Sequence, residues 1–156
     1  MTREFKDRLV RHLNFLEEEI KDYTQFKKLT REEYLTDRDK RRNVERWVEN
    51  IINSTVDIVR VILTMEEVAI PDTYRRIVEM ISAVEGFGQL AVEQLSKWVR
   101  LRNIVTHEYL DIKWSSISKF IDETDLLYKN FIKITRHYLK NKIESGESEQ
   151  QEESRQ

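Results

Sequence analysis

A chain of 156 residues is sized for one domain around a single core; two full domains would be cramped. Its 27 basic and 29 acidic side chains leave a formal net charge of −2, which excludes a uniformly cationic surface and makes any nucleic-acid contact a local one. No cysteine is present, which removes disulfides, thiolate zinc sites and thiol nucleophiles, and one proline and three glycines among abundant helix formers exclude a turn-rich β architecture.

The first residues, Met1-Thr2-Arg3-Glu4-Phe5-Lys6-Asp7, alternate charge with apolar groups and carry no signal-peptide core. No apolar run reaches the roughly eighteen residues that a membrane-spanning helix needs, so a cytoplasmic protein without membrane contact is expected. Phe5, Leu9, Leu13, Leu16, Ile20, Tyr23 and Phe26 recur at steps of three and four, the period of one buried helix face. Thr30 and Glu33 have the spacing of a capping box, predicting a short helix that runs to Leu35. A second start at about Asp37 opens a long helix through Val44, Trp47, Val48, Ile51, Ile52, Thr55, Ile58, Val59 and Ile62, ending before Pro71.

Pro71 suits a first helical turn, so residues 72–84 read as a short helix closed by Gly86 and Gly88. Phe87, Leu90, Ala91, Leu95, Trp98, Leu101 and Val105 mark the next helix, which must end or bend between Tyr109 and Lys113. Trp114, Ile117, Ile121, Thr124, Tyr128, Phe131, Thr135 and Tyr138 trace the last. Four main helices plus a short one, briefly connected, predict an all-α antiparallel bundle over residues 1–143. Residues 144–156 contain no apolar side chain and are expected to form a disordered polar tail.

One charged residue breaks the apolar pattern. Arg102 stands seven positions after Leu95 and so on the same helix face, which points a permanently charged guanidinium toward the buried side. Two accounts fit: an ion pair with a carboxylate from another helix, or an anion-binding role. Tyr109 shares the Arg102 face, whereas position 107 is about 140° away around an ideal helix. For Arg102 and His107 to meet one phosphate, either the helix unwinds near His107 or two copies of the chain combine their sites. His12 and His137 lack such neighbours and read as ordinary surface or core-edge histidines.

Arg102-Asn103-Ile104-Val105-Thr106-His107-Glu108-Tyr109 resembles the signature of the HepT toxin branch of HEPN-domain proteins: Arg, four residues, His, any residue, Tyr. The approach to the long helix (Leu35, Thr36, Asp37, Arg38, Asp39, Lys40), the Pro71-Asp72-Thr73-Tyr74 segment and the aromatic spacing of the last helix are also similar to that branch. The likeness spans roughly residues 30–140, with no departure in the motif itself.

The resemblance implies a metal-independent RNA endonuclease with no cofactor, the toxin of a toxin–antitoxin pair, whose motif lies at a homodimer cleft. Arg102 and His107 would be catalytic, and Asn103 and Tyr109 would position the substrate. Histidine suits both removal of the ribose 2′-OH proton and protonation of the departing 5′ oxygen, while Arg102 would stabilise the phosphate. In that branch the motif tyrosine, here Tyr109, also accepts AMP from an MNT-type nucleotidyltransferase antitoxin. An alternative of another class is a non-catalytic partner that presents substrate to a minimal nucleotidyltransferase. A third, a structural adaptor, would leave Arg102 paired with a carboxylate. Tyr109 also has an ordinary reading as a core-facing tyrosine. The basic run Arg38, Lys40, Arg41, Arg42 and Arg46 reads as a solvated helix face before an RNA or antitoxin contact, and Trp47, Trp98 and Trp114 as core or dimer-interface residues.

Overall fold

The computed structural model describes residues 2–107 and 113–156, excepting the side chains of Thr106 and His107. All regular structure among the described residues is helical. Thr2 caps α1 (Arg3–Ile20), its hydroxyl accepting from the Phe5 N–H, and Leu9, Leu13 and Leu16 form the buried stripe. The regular apolar spacing predicts one helix as far as Phe26, but the helix breaks at Lys21 and Asp22 and resumes as α2 (Tyr23–Phe26). A contact from elsewhere in the chain meets the break: the Trp47 indole N–H donates to the Glu19 carbonyl at 2.7 Å, competing for the acceptor that a continuing helix would offer to Tyr23. Lys21 and Asp22 close the turn with tighter bonds to Glu18 and Glu19.

The capping box forms as its spacing predicts. Thr30 and Glu33 bond reciprocally at the start of α3 (Arg31–Thr36). Asp37 then caps α4 (Arg38–Met65), accepting from the Asp39 and Lys40 N–H groups. As Pro71 predicts, α4 ends before that residue; the stop at Met65 itself carries no glycine signal, because the left-handed residue of the terminal turn is Glu67 (φ 56°). Val68 N–H reaches the Leu63 carbonyl and Glu67 N–H the Thr64 carbonyl, so two terminal carbonyls are satisfied before Pro71. The segment read as one short helix divides into α5 (Tyr74–Glu79), capped by Thr73, and a 3₁₀ turn (Met80–Ala83). Gly86, at φ 101°, supplies the reversal that follows. Leu90 and Ala91 lie in that turn, and α6 (Val92–His107) starts after them.

Side-chain contacts give the directions of the helices. Trp47 meets Glu19 and Ser54 meets the His12 carbonyl, so α1 and α4 run antiparallel. Tyr23 bonds Thr124 and Arg136 bonds Asn14, which sets α7 (Trp114–Arg155) antiparallel to α1. Phe87 lies against Tyr138 and Trp98 against Phe120, so the α6 arm runs antiparallel to α7. The result is an up-down-up-down bundle with α3 and α5 packed at its flanks. Its centre is aromatic: Phe120, fully buried, touches Tyr23, Trp47, Trp98 and Tyr128.

Helix α7 continues to Arg155, where the composition predicts a disordered tail. None of residues 144–156 is buried. The helix persists because extending an existing helix avoids the nucleation cost.

One carboxyl is held at a disadvantage within α4. A Glu45 oxygen is closed off from solvent with no hydrogen-bond partner among the described residues, and burial raises its pKa against a smaller opposing pull from Arg41. Nearby, burial and then the Glu45 charge push the Tyr34 hydroxyl up to about 12. A raised carboxyl pKa favours folding most below the unfolded value, and that contribution is lost as pH rises through the folded value. Glu45→Gln is therefore expected to raise the melting temperature at pH 7 and to lose that advantage near pH 4. Thermal melts of both proteins at the two pH values check it, and an equal shift at both would remove the electrostatic explanation.

Candidate active site around Arg102

The buried residues Leu95 and Val99 on α6 lead, at the next step of the same stripe, to Arg102. There the stripe leaves the core, and the guanidinium lies half-buried between α4 and α5. Its Nε donates to Asn53 Oδ1 on α4 at 2.7 Å, and Nη1 donates to the adjacent Asn103 Oδ1 at 3.3 Å. The guanidinium carbon stands 4.8 Å from the ring centre of Tyr74, the first residue of α5. Thr73 sets that position, its hydroxyl accepting from the Arg76 N–H at 3.3 Å.

No carboxylate pairs with Arg102 among the described residues. Asp57, one turn beyond Asn53 on α4, pairs instead with Arg60 at 3.3 Å, and Arg60 approaches the same Tyr74 ring at 5.6 Å. Of the two accounts open to a core-facing arginine, the interhelical ion pair is therefore not the one adopted among these residues. The hydrogen-bonding partners of Arg102 among the described residues, Asn53 and Asn103, are neutral amides, which orient the guanidinium without cancelling its charge.

Asn103 is exposed beside Arg102. Helix α6 is continuous through His107, so it does not unwind between positions 102 and 107, and within one chain they remain about 140° apart around the axis. The His107 side chain and Tyr109 lie outside the described residues, as does most of the predicted bend between Tyr109 and Lys113. His12 is half-buried on α1, with its carbonyl engaged by Ser54. His137 is exposed in an open groove of about 470 Å³ with Glu66, Tyr138 and Lys142. Burial alone would raise the Glu66 pKa, but bonds from Lys142 and Tyr138 outweigh it and hold the carboxyl low. Glu66 is roughly 20 Å along α4 from Asn53, so this groove is separate from the Arg102 site.

Arg38, Lys40, Arg42 and Arg46 are exposed, and Lys40 pairs with Glu33, in keeping with a solvated face. Trp47 is buried, while Trp98 and Trp114 are half-buried against Phe120 and Tyr34. Among the described residues no group of His, Asp or Glu side chains is arranged to hold a metal ion. None of their helices is long and apolar enough to cross a membrane. Sequence reasoning singled out Arg102 but gave no role to its holders Asn53 and Tyr74. The available signal was slight: Asn53 follows Ile51 and Ile52 on α4 but stands beside two other polar residues, Ser54 and Thr55.

The class these features define is an all-α, HEPN-like bundle with an arginine on its third long helix that has no carboxylate partner among the described residues. Residues 16–136 match the family model for HepT-like ribonucleases. The chain belongs to the HepT-like ribonuclease family. No curated protein matches it. A crystal structure of a toxin-antitoxin with AMP-PNP superposes with a TM-score of 0.74 at 18% identity, covering 84% of this chain and 98% of the other, a likeness of fold.

Proposed function

We propose that this chain is the toxin of a toxin–antitoxin pair, a cytoplasmic endoribonuclease that cuts RNA by acid–base chemistry without a metal. The observation that carries the reading is the half-buried Arg102, oriented by neutral acceptors with no carboxylate partner among the described residues and five positions before His107. A guanidinium so held suits a phosphodiester, whose growing negative charge it stabilises in a partly dry setting. His107 removes the proton of the ribose 2′-OH, that oxygen attacks the adjacent phosphorus, and a second imidazole protonates the departing 5′ oxygen. The products end in a 2′,3′-cyclic phosphate and a 5′-hydroxyl.

The unbroken α6 favours a composite site. With positions 102 and 107 divergent on one helix, a homodimer offers the route to joining one copy's Arg102 with imidazoles of both. Asn103 and Tyr109 position the RNA. The fold likeness to a toxin-antitoxin bound to AMP-PNP is in keeping with control by a nucleotidyltransferase antitoxin of the MNT type. AMP transferred to Tyr109 would place a phosphate beside Arg102 and occupy the anion site.

The deciding experiment incubates the purified wild-type chain and His107→Ala with single-stranded RNA, identifies product ends by mass spectrometry, and compares growth on expression. Loss of both cleavage and toxicity in the variant, with cyclic-phosphate ends from the wild type, is expected. Equal behaviour of the two proteins would replace the enzyme with a binding partner of a nucleotidyltransferase.

A further inference from the structure

The Arg102 guanidinium is gripped on two sides by residues outside the motif. Asn53 accepts from Nε at 2.7 Å, which fixes the rotation of the planar group about its own stem. The guanidinium carbon lies over the Tyr74 ring, 4.8 Å from its centre, so the ring bounds the group on that side. The two contacts come from different helices, α4 and α5, so they define a plane where either alone would leave a hinge. Apart from the Nη1 bond to Asn103 at 3.3 Å, what remains are the other Nη donors, on the edge that can meet phosphate oxygens. A carboxylate at position 53 would hold Nε as firmly but would compete with a phosphate for the charge; an amide holds without competing.

From this geometry we infer that Asn53 and Tyr74 are positioning residues that aim the Nη edge of Arg102 at the scissile phosphate, and that the neutrality of Asn53 is part of that role. The inference deepens the ribonuclease reading and rests on it for its catalytic consequence, though the grip itself can be measured without catalysis. The Tyr74 hydroxyl has no part in it, since the ring faces the guanidinium.

The test compares Asn53→Asp, Asn53→Ala, Tyr74→Leu and Tyr74→Phe in the full-length chain. Steady-state kinetics use a fluorescent single-stranded RNA oligonucleotide of mixed sequence. In parallel, the Arg102 Nε–H resonance, assigned by its loss in Arg102→Lys, is followed by ¹⁵N NMR while inorganic phosphate is added. Asn53→Ala and Tyr74→Leu are expected to lower kcat about tenfold with KM changed less than twofold, because the grip matters most as charge develops on the phosphate. Tyr74→Phe restores most of what Tyr74→Leu loses. Asn53→Asp, nearly isosteric and so expected to fold, keeps the Nε–H resonance but lowers kcat at least tenfold and weakens the phosphate response.

Wild-type kcat in Asn53→Asp and Tyr74→Leu, with an unmoved Nε–H resonance in Asn53→Ala, would overturn the positioning role, while an inactive His107→Ala would leave the ribonuclease reading intact. If the wild type cuts no RNA, that reading fails. The inferred grip is then upheld or overturned by the resonance and phosphate titration alone. Should Tyr74→Leu fail to fold, Asn53→Asp decides.

Discussion

Replacing Arg102 with lysine is expected to lower RNA cleavage nearly as far as replacing it with alanine, by about 100- to 1,000-fold in kcat, the range typical for loss of a transition-state anion donor. Lysine keeps the charge. It cannot reproduce the Nε bond to Asn53 at 2.7 Å, the guanidinium contact over the Tyr74 ring at 4.8 Å, or the forked Nη edge. Its ammonium, on a flexible stem, would lose the orientation that gives the contact its value. Single-turnover cleavage of a labelled RNA by wild type, Arg102→Lys and Arg102→Ala measures this. A lysine variant retaining more than about a third of wild-type rate would show that charge near the phosphate suffices and geometry adds little.

The largest stability loss is expected at Phe120, where alanine should cost about 3–5 kcal/mol. Phe120 is fully buried and its ring touches four other aromatic rings. Tyr23 belongs to α2, Trp47 to α4, Trp98 to α6 and Tyr128 to α7 itself, so a cavity here forfeits contacts among four helices at once. Trp98 is one turn before Arg102 on α6, and loosening its edge contact at 5.4 Å should also blur the placement of the guanidinium. Urea denaturation followed by circular dichroism gives the loss directly. Leu126→Ala, at a side chain 79% exposed, serves as the comparison and should stay within about 0.5 kcal/mol of wild type. A Phe120→Ala loss below about 1 kcal/mol would mean that the neighbouring rings collapse into the space.

Much of the architecture was legible because its signals are local or periodic. The Thr30 and Glu33 pair announced α3, Asp37 announced α4, and the apolar stripes of α4 and α7 identified helices whose buried faces hold those same residues, the half-buried Trp114 excepted. The break after Ile20 was not legible, since the indole N–H that meets it arrives from Trp47, 28 positions away from Glu19. Pro71 bounded the end of α4, but the stop at Met65 was not legible, since Glu67 there occupies a backbone conformation in which glycine is the usual signal.

The site divides along the same line. Arg102 stood out from the chain alone because a permanent charge on an apolar helical face violates the pattern around it, and the spacing from Arg102 to His107 and Tyr109 carried the family likeness. Whether that charge is neutralised depends on which side chains α4 and α5 bring beside it, and helical periodicity says nothing of partners dozens of residues away. Folding delivered Asn53 and Tyr74 to the guanidinium and left Asp57 to Arg60. Pattern chose the residue, because periodicity is encoded step by step along the chain; packing chose its partners, because those contacts exist only once the helices meet.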